Sequence, residues 1–221
     1  MVPIDSLSSH LDITLAILAG GASQRMGHPK AAMTLSGKPV LEYLLERLTW
    51  PGPTLLVTAP GRERPPRSEL FDHEAVDPVA GQGPLRGVLT ALQHAATAHV
   101  LVLTVDMPCL LPEHLDWVIG RAGVLPDCKG IMLRRAINGV SQIEPFPFLC
   151  RVDAADVISE RLTNGRRSVH SLTELAGFFA EDVPSDWPQI VWTNLNTPGD
   201  LESLGERSEP LESPRRRPQS L

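Results

Sequence analysis

Gly20, Gly21, Arg25, Gly27 and Lys30 fall in one short segment, directly after the apolar run Ile13–Leu18. Glycines let a backbone come close to a ligand, and their N–H groups can cradle phosphate oxygens. Arg25 and Lys30 add two positive charges to the same loop, which is the chemistry a nucleoside triphosphate requires. The spacing excludes two better-known loops. A P-loop needs Gly, four residues, then Gly-Lys-Ser/Thr, whereas five residues separate Gly21 from Gly27 and His28-Pro29 precede Lys30. The dinucleotide fingerprint needs G-x-G-x-x-G, and Gly20 and Gly21 are adjacent. Pro29 disfavours helix in the residue before it, so the loop is expected to be extended.

Acidic and amide side chains further along extend this chemistry. Asp106 closes the run Leu101–Val105 and is followed by Met107-Pro108, so its carboxylate is expected at the end of a buried strand. Magnesium typically takes one or two carboxylates together with phosphate oxygens and water, and Asp106 fits that role; an aspartate capping the following turn is the plainer reading. Asp77 opens Asp77-Pro78-Val79-Ala80-Gly81-Gln82-Gly83-Pro84-Leu85-Arg86-Gly87, where Pro84 presets a turn and Gly87 permits close packing at a helix start. Asn194 and Asn196 project to one side of an extended segment, and their amides both donate and accept. Arg166-Arg167 follows Gly165. Arginine suits phosphate, although a paired arginine is as often a solvated surface feature. Arg134-Arg135 carries no such pattern and reads as surface.

These groups need a scaffold, and the chain of 221 residues is long enough to bury one core. Apolar runs predict strands at Ile13–Leu18, Thr54–Thr58, up to Ala75–Val76, His99–Val105, Gly130–Leu133, Pro145–Cys150 and Ile190–Asn194. Helices are predicted over Val40–Leu48, Leu85–Thr97, Pro112–Arg121, Asp153–Leu162, Ser168–Leu175 and Pro198–Leu204. This alternation predicts an α/β, single-domain, Rossmann-like three-layer fold with a mostly parallel central sheet. The informative residues all follow strands, where such sheets bind ligands. Residues 1–12 read as an N-terminal extension, 13–204 as the domain, and 205–221, rich in Ser, Pro, Glu and Arg, as a disordered tail.

A net charge of −6 argues against a nucleic-acid partner. No apolar stretch is long enough to span a membrane, and the polar N-terminal dozen is no signal peptide. Cys109, Cys128 and Cys150 form no C-x-x-C pair, so they are expected as small buried hydrophobes in a cytoplasmic protein.

The segment Leu18-Ala19-Gly20-Gly21-Ala22-Ser23-Gln24-Arg25-Met26-Gly27-His28-Pro29-Lys30 resembles the signature of the MobA-like nucleotidyltransferases. Gly83-Pro84-Leu85-Arg86-Gly87, Asp106-Met107-Pro108, Glu144-Pro145, Gly165-Arg166-Arg167-Ser168 and Asn194-Leu195-Asn196-Thr197-Pro198-Gly199-Asp200-Leu201 resemble its later motifs in order. The resemblance implies a magnesium-dependent transfer of GMP from GTP to molybdopterin or the molybdenum cofactor. Pyrophosphate is released and a guanine dinucleotide cofactor forms, with molybdoenzymes or their chaperones as protein partners. It implies Arg25, Lys30 and Asp106 as catalytic residues and Asp106 as the magnesium ligand. Leu18, Ala19, Gly20, Gly21, Lys30, Thr58, Asp77 and Asp106 are implied to bind nucleotide. Glu144, Arg166 or Arg167, Asn194 and Asn196 are implied on the acceptor side. Two positions depart from the pattern: Thr58 falls where the family can have a base-contacting asparagine, and Arg86 where a small residue is more usual. A cytidylyltransferase of the same cofactor, another small-molecule nucleotidyltransferase and a non-catalytic nucleotide-binding module remain as alternatives.

Overall fold

The structure is a computed structural model and describes residues 10–21, 30–195 and 200. Its first strand, β1 (Ile13–Leu18), is buried along its whole length, as expected of a strand covered on both faces. Two-residue strands β2 (Thr34–Leu35) and β3 (Lys38–Pro39) form a small antiparallel pair. Helix α1 (Val40–Leu48) follows, burying Leu41, Leu44 and Leu48 at helical spacing. Then come β4 (Thr54–Thr58), β5 (His73–Val76), α2 (Pro84–His94) and β6 (His99–Thr104). The second half contributes α3 (Pro112–Ala122), β7 (Gly130–Ile137), β8 (Val140–Arg151), α4 (Ala155–Thr163) and β9 (Phe178–Asp182).

Seven strands form one sheet in the order β5-β4-β1-β6-β8-β7-β9. Only β8 runs against the others. The chain lays β1, β4 and β5 outward to one side and then crosses back to place β6 on the other side of β1. The carboxyl ends of β1 and β6 therefore flank a topological switch point, where open α/β sheets leave a crevice. Successive residues of β1 face opposite layers. Ile17 joins a core cluster with Val40, Leu41 and Leu44 of α1, while Leu18 packs on α2, close enough that a Cβ at Gly87 would lie 3.2 Å from its Cδ1. Helices thus cover both faces, giving the three-layer fold expected.

Several elements differ from the expectation for identifiable reasons. Helix α2 stops at His94 because Ala95 turns extended; the Thr97 hydroxyl hydrogen-bonds the His99 carbonyl at 2.8 Å and pairs with the Thr14 hydroxyl at 2.8 Å. The strands expected at Gly130–Leu133 and Pro145–Cys150 are the inner parts of a longer hairpin, β7–β8. Its two-residue turn, Asn138-Gly139, has φ of 52° and 78°, as a type I′ connection requires. Strand β9 had no counterpart in the sequence reading; it adds in parallel to β7. Residues expected as a strand at Ile190–Asn194 form a 3₁₀ turn over Gln189–Trp192, where the Trp192 indole stacks on Trp187 with centroids 5.8 Å apart. The Ser168–Leu175 helix is reduced to a 3₁₀ turn at His170–Glu174. The helix expected over 198–204 lies, apart from Asp200, outside the described residues.

Cys109 and Cys150 are buried and Cys128 half-buried, all three as free thiols; burial pushes the thiol pKa of each above its ordinary value. No helix of the described residues is long and apolar enough to cross a membrane. His114, in the first turn of α3, is buried and accepts the Leu111 backbone N–H at Nδ1, 3.0 Å. Burial, and secondarily the nearby Arg47, holds its pKa below the ordinary 6.5, against the opposing charge of Glu113. The unfolded chain therefore takes up this proton first, so the stabilisation is complete above about pH 6.5 and is lost as pH falls below it. Urea midpoints measured at pH 7.5 and 5.5 should drop more for the wild type than for His114→Asn; equal drops would contradict this assignment.

Candidate nucleotide site

The ladder hydrogen bonds continue past the strand ends and set their tips in a row. Ala19 N–H donates to the Val57 carbonyl at 2.8 Å, Val105 N–H to that of Leu18 at 3.1 Å, and Asp77 N–H to that of Thr58 at 2.8 Å. A turn closed by Met107 N–H on the Thr104 carbonyl, 3.2 Å, ends β6 and leaves Asp106 at its tip. Above this row opens a cleft of about 730 Å³, and Leu18, Ala19, Gly20, Gly21, Lys30, Thr58, Asp77 and Asp106 all line it. Its remaining wall comes chiefly from Ala59, Pro60 and Arg62, which sequence reasoning did not single out, and from the loop Val79–Gly83 that follows Asp77. The signal for the loop was present in its glycine and proline content, which permits a backbone wall close to a ligand.

Gly20 shows why the glycine pair matters. A Cβ there would lie 3.0 Å from the Ala59 nitrogen and 3.1 Å from its Cβ, so any side chain must push the two strand ends apart. Gly20→Ala is expected to weaken nucleoside triphosphate binding about tenfold, ~1.4 kcal/mol, with a small change in thermal midpoint. Calorimetric titration checks this, and undiminished affinity would contradict it.

Two ion pairs involve residues that line the cleft. Lys30 Nζ lies 2.6 Å from Asp106 Oδ2, with both side chains about four-fifths buried, so a cation and a carboxylate meet at the tip of β6. Arg86 Nε donates to Asp77 Oδ1 at 2.9 Å, and the same oxygen accepts Val79 N–H at 3.2 Å. The Arg86 side chain therefore turns back onto Asp77 rather than out to solvent. Asp106 also ties down the C-terminal segment, its carbonyl accepting Leu195 N–H at 2.9 Å.

Residues expected on the acceptor side are more dispersed. Glu144 lies on β8, four residues before Phe148, which pairs with Val102 of β6. The Glu144 carboxylate is engaged by Arg135, Nε to Oε1 2.7 Å, whose guanidinium lies 5.0 Å from the centre of the Trp192 ring. Arg135, read as surface from the sequence, is thus largely buried and clamps the hairpin to the segment leading to Asn194. Asn194 and Arg166 are exposed. Arg167 reaches the Gly81 carbonyl at the cleft rim, 3.5 Å from Nη1. Arg25 and Asn196 lie outside the described residues.

A cleft at the switch point of a mostly parallel sheet, with a glycine turn, a lysine and a strand-end aspartate, defines a nucleotide-handling α/β protein. The MobA-like NTP transferase domain matches residues 15–175, and the chain belongs to that family of nucleotidyltransferases. A probable molybdenum cofactor guanylyltransferase of Thermococcus kodakarensis is 29% identical over 195 residues, covering 86% of this chain and 92% of that protein. A molybdenum cofactor guanylyltransferase of Serratia proteamaculans is 30% identical over 190 residues, covering 85% and 91%. The crystal structure of molybdopterin-guanine dinucleotide biosynthesis protein A from Archaeoglobus fulgidus superposes with a TM-score of 0.68 at 26% identity, covering 88% of this chain and 97% of that one.

Proposed function

We propose that the chain transfers GMP from GTP to molybdopterin or the molybdenum cofactor. The acceptor's terminal phosphate oxygen forms a bond to the α-phosphorus, the α–β bond breaks, and pyrophosphate leaves. The observation that carries this reading is the single cleft lined by Leu18–Gly21, Lys30, Thr58, Asp77 and Asp106, together with the names of the relatives that share most of the chain's length. The acceptor phosphate is already anionic, so no protein nucleophile is needed, and catalysis consists of positioning and charge neutralisation.

Backbone N–H groups of Gly20 and Gly21, beyond the last ladder bond of β1, contact the nucleotide, and Lys30, with Arg25, neutralises the charge that develops on the leaving pyrophosphate. Asp106 suits magnesium. Among the described residues no group of three or more His, Cys, Asp or Glu is placed to hold a metal, which disfavours an all-protein cage. A lone carboxylate beside bound phosphates is the donor set magnesium ordinarily takes. Asp106 would hold the ion, which would supply Lewis-acid charge stabilisation to the phosphates. Arg167 and Asn194, with Arg166 and Asn196, serve the acceptor; Glu144 contributes by holding Arg135. The dinucleotide product would pass to molybdoenzymes or their chaperones in the cytoplasm.

The test is pyrophosphate release with magnesium, molybdopterin and each of the four nucleoside triphosphates in turn. Release with GTP alone is expected. Release with CTP instead would favour a cytidylyltransferase, and release with none a binding module.

A further inference from the structure

Arg86 lies in the first turn of α2 and carries its side chain back onto Asp77. Both side chains are well buried, 16% and 12% exposed. Asp77 Oδ1 accepts two hydrogen bonds, from Arg86 Nε and Val79 N–H. Two donors on one oxygen fix the carboxylate plane and prevent the two oxygens from exchanging places. Oδ2 has no donor among the described residues, and Asp77 lines the cleft.

The strand order says which part of a nucleotide meets that oxygen. Asp106 follows β6 and Asp77 follows β5, three strands apart across the sheet. At about 4.8 Å per strand the two strand ends that carry them are roughly 14 Å apart. With the reacting phosphate at Lys30 and Asp106, the far end of the cleft is the base end.

A carboxylate oxygen offers only acceptor sites. Guanine presents two adjacent N–H donors on one edge, N1–H and the N2 amino group. Cytosine and adenine set an acceptor nitrogen beside their single amino group, and uracil flanks its N–H with carbonyls. A fixed acceptor oxygen can accept from both guanine donors at once, whereas on cytosine or adenine it finds one amino donor with an acceptor nitrogen beside it.

We propose that Arg86 is a positioning residue for base selection, holding Asp77 so that one oxygen faces the base end of the cleft and favours guanine. The inference rests on the nucleotide reading of this cleft. Without Arg86 the carboxylate gains rotational freedom and loses its defined orientation, so the discrimination falls while the phosphate end is untouched.

The test is equilibrium binding of GTP and CTP to the full chain, with thermal midpoints in parallel, for the wild type, Arg86→Ala, Arg86→Lys, Asp77→Asn and the double variant Arg86→Ala/Asp77→Asn. Arg86→Ala should lower the GTP:CTP affinity ratio by about tenfold or more, as loss of a charge-assisted hydrogen bond would. Arg86→Lys, which can still donate to Oδ1, should recover part of the ratio. In the Asp77→Asn background, removing Arg86 should change the ratio no further, because Arg86 acts through Asp77. Where transfer is assayed, kcat of Arg86→Ala at saturating GTP should change little. An unchanged ratio in Arg86→Ala, or equal weakening of GTP and CTP, would overturn the proposal while leaving the transferase reading intact. If the wild type bound neither nucleotide, the reading of the cleft itself would fall.

Discussion

Asp106→Asn is expected to reduce nucleotidyl transfer by on the order of a hundredfold or more, ~3 kcal/mol of transition-state stabilisation, and to leave the residual rate nearly insensitive to magnesium. The substitution keeps the shape of the side chain and an oxygen that can still accept from Lys30, but removes the charge a hard cation requires. Asp106 closes the β6 turn through its neighbours' backbone groups, and its carbonyl, unaltered by the change, holds Leu195. The fold should therefore persist, with the thermal midpoint close to that of the wild type. Rates measured across a magnesium titration check the claim; a wild-type magnesium response in the variant would assign the metal to another residue.

Lys30→Ala should produce a loss of similar size with a different signature. A lysine that neutralises the departing pyrophosphate contributes more to the transition state than to the ground state, so kcat should fall by about a hundredfold while GTP affinity falls only several-fold. Steady-state kinetics beside direct binding separate the two, and unchanged turnover would remove Lys30 from the mechanism. Because Lys30 and Asp106 touch at 2.6 Å, their effects should not add. The double variant is expected to lose clearly less than the product of the single losses.

Much of the scaffold was legible because its signals are local. Ile13–Leu18 and the run leading to Thr104 are continuous apolar stretches, and they became the central parallel strands β1 and β6. Leu41, Leu44 and Leu48 carry the helical period of α1 without interruption. Once the sheet is parallel, residues that follow strands must share one edge, so Gly20, Thr58, Asp77 and Asp106 meet in one cleft. The β7–β8 hairpin was underestimated because Arg134, Arg135, Ser141 and Gln142 interrupt its apolar pattern. Its Asn138-Gly139 turn was nevertheless a readable hairpin signal. Strand β9 was missed because Phe178–Asp182 is a short edge segment with acidic residues at its end, and only pairing with β7 makes it a strand.

The ion pairs were beyond a reading of sequence. Arg86 lies in the first turn of α2, where a side chain can point to solvent, and its turn toward Asp77 depends on the path of the intervening loop. Arg135 looked like half of a surface pair, but the strand alternation sends it across the hairpin to Glu144 and over Trp192. In both cases the residue types were visible and the direction of the side chain was decided by tertiary packing. The consequence for function is direct, since one pair shapes the base end of the cleft and the other anchors the segment that carries Asn194.

The most direct measurement follows the label of GTP in the presence of magnesium and molybdopterin. With label on the α-phosphate, radioactivity should appear in a guanine dinucleotide product; with label on the γ-phosphate, it should appear only in pyrophosphate. Release of the γ-label as orthophosphate, or an acceptor left without the α-label, would contradict nucleotidyl transfer as the activity of this cleft.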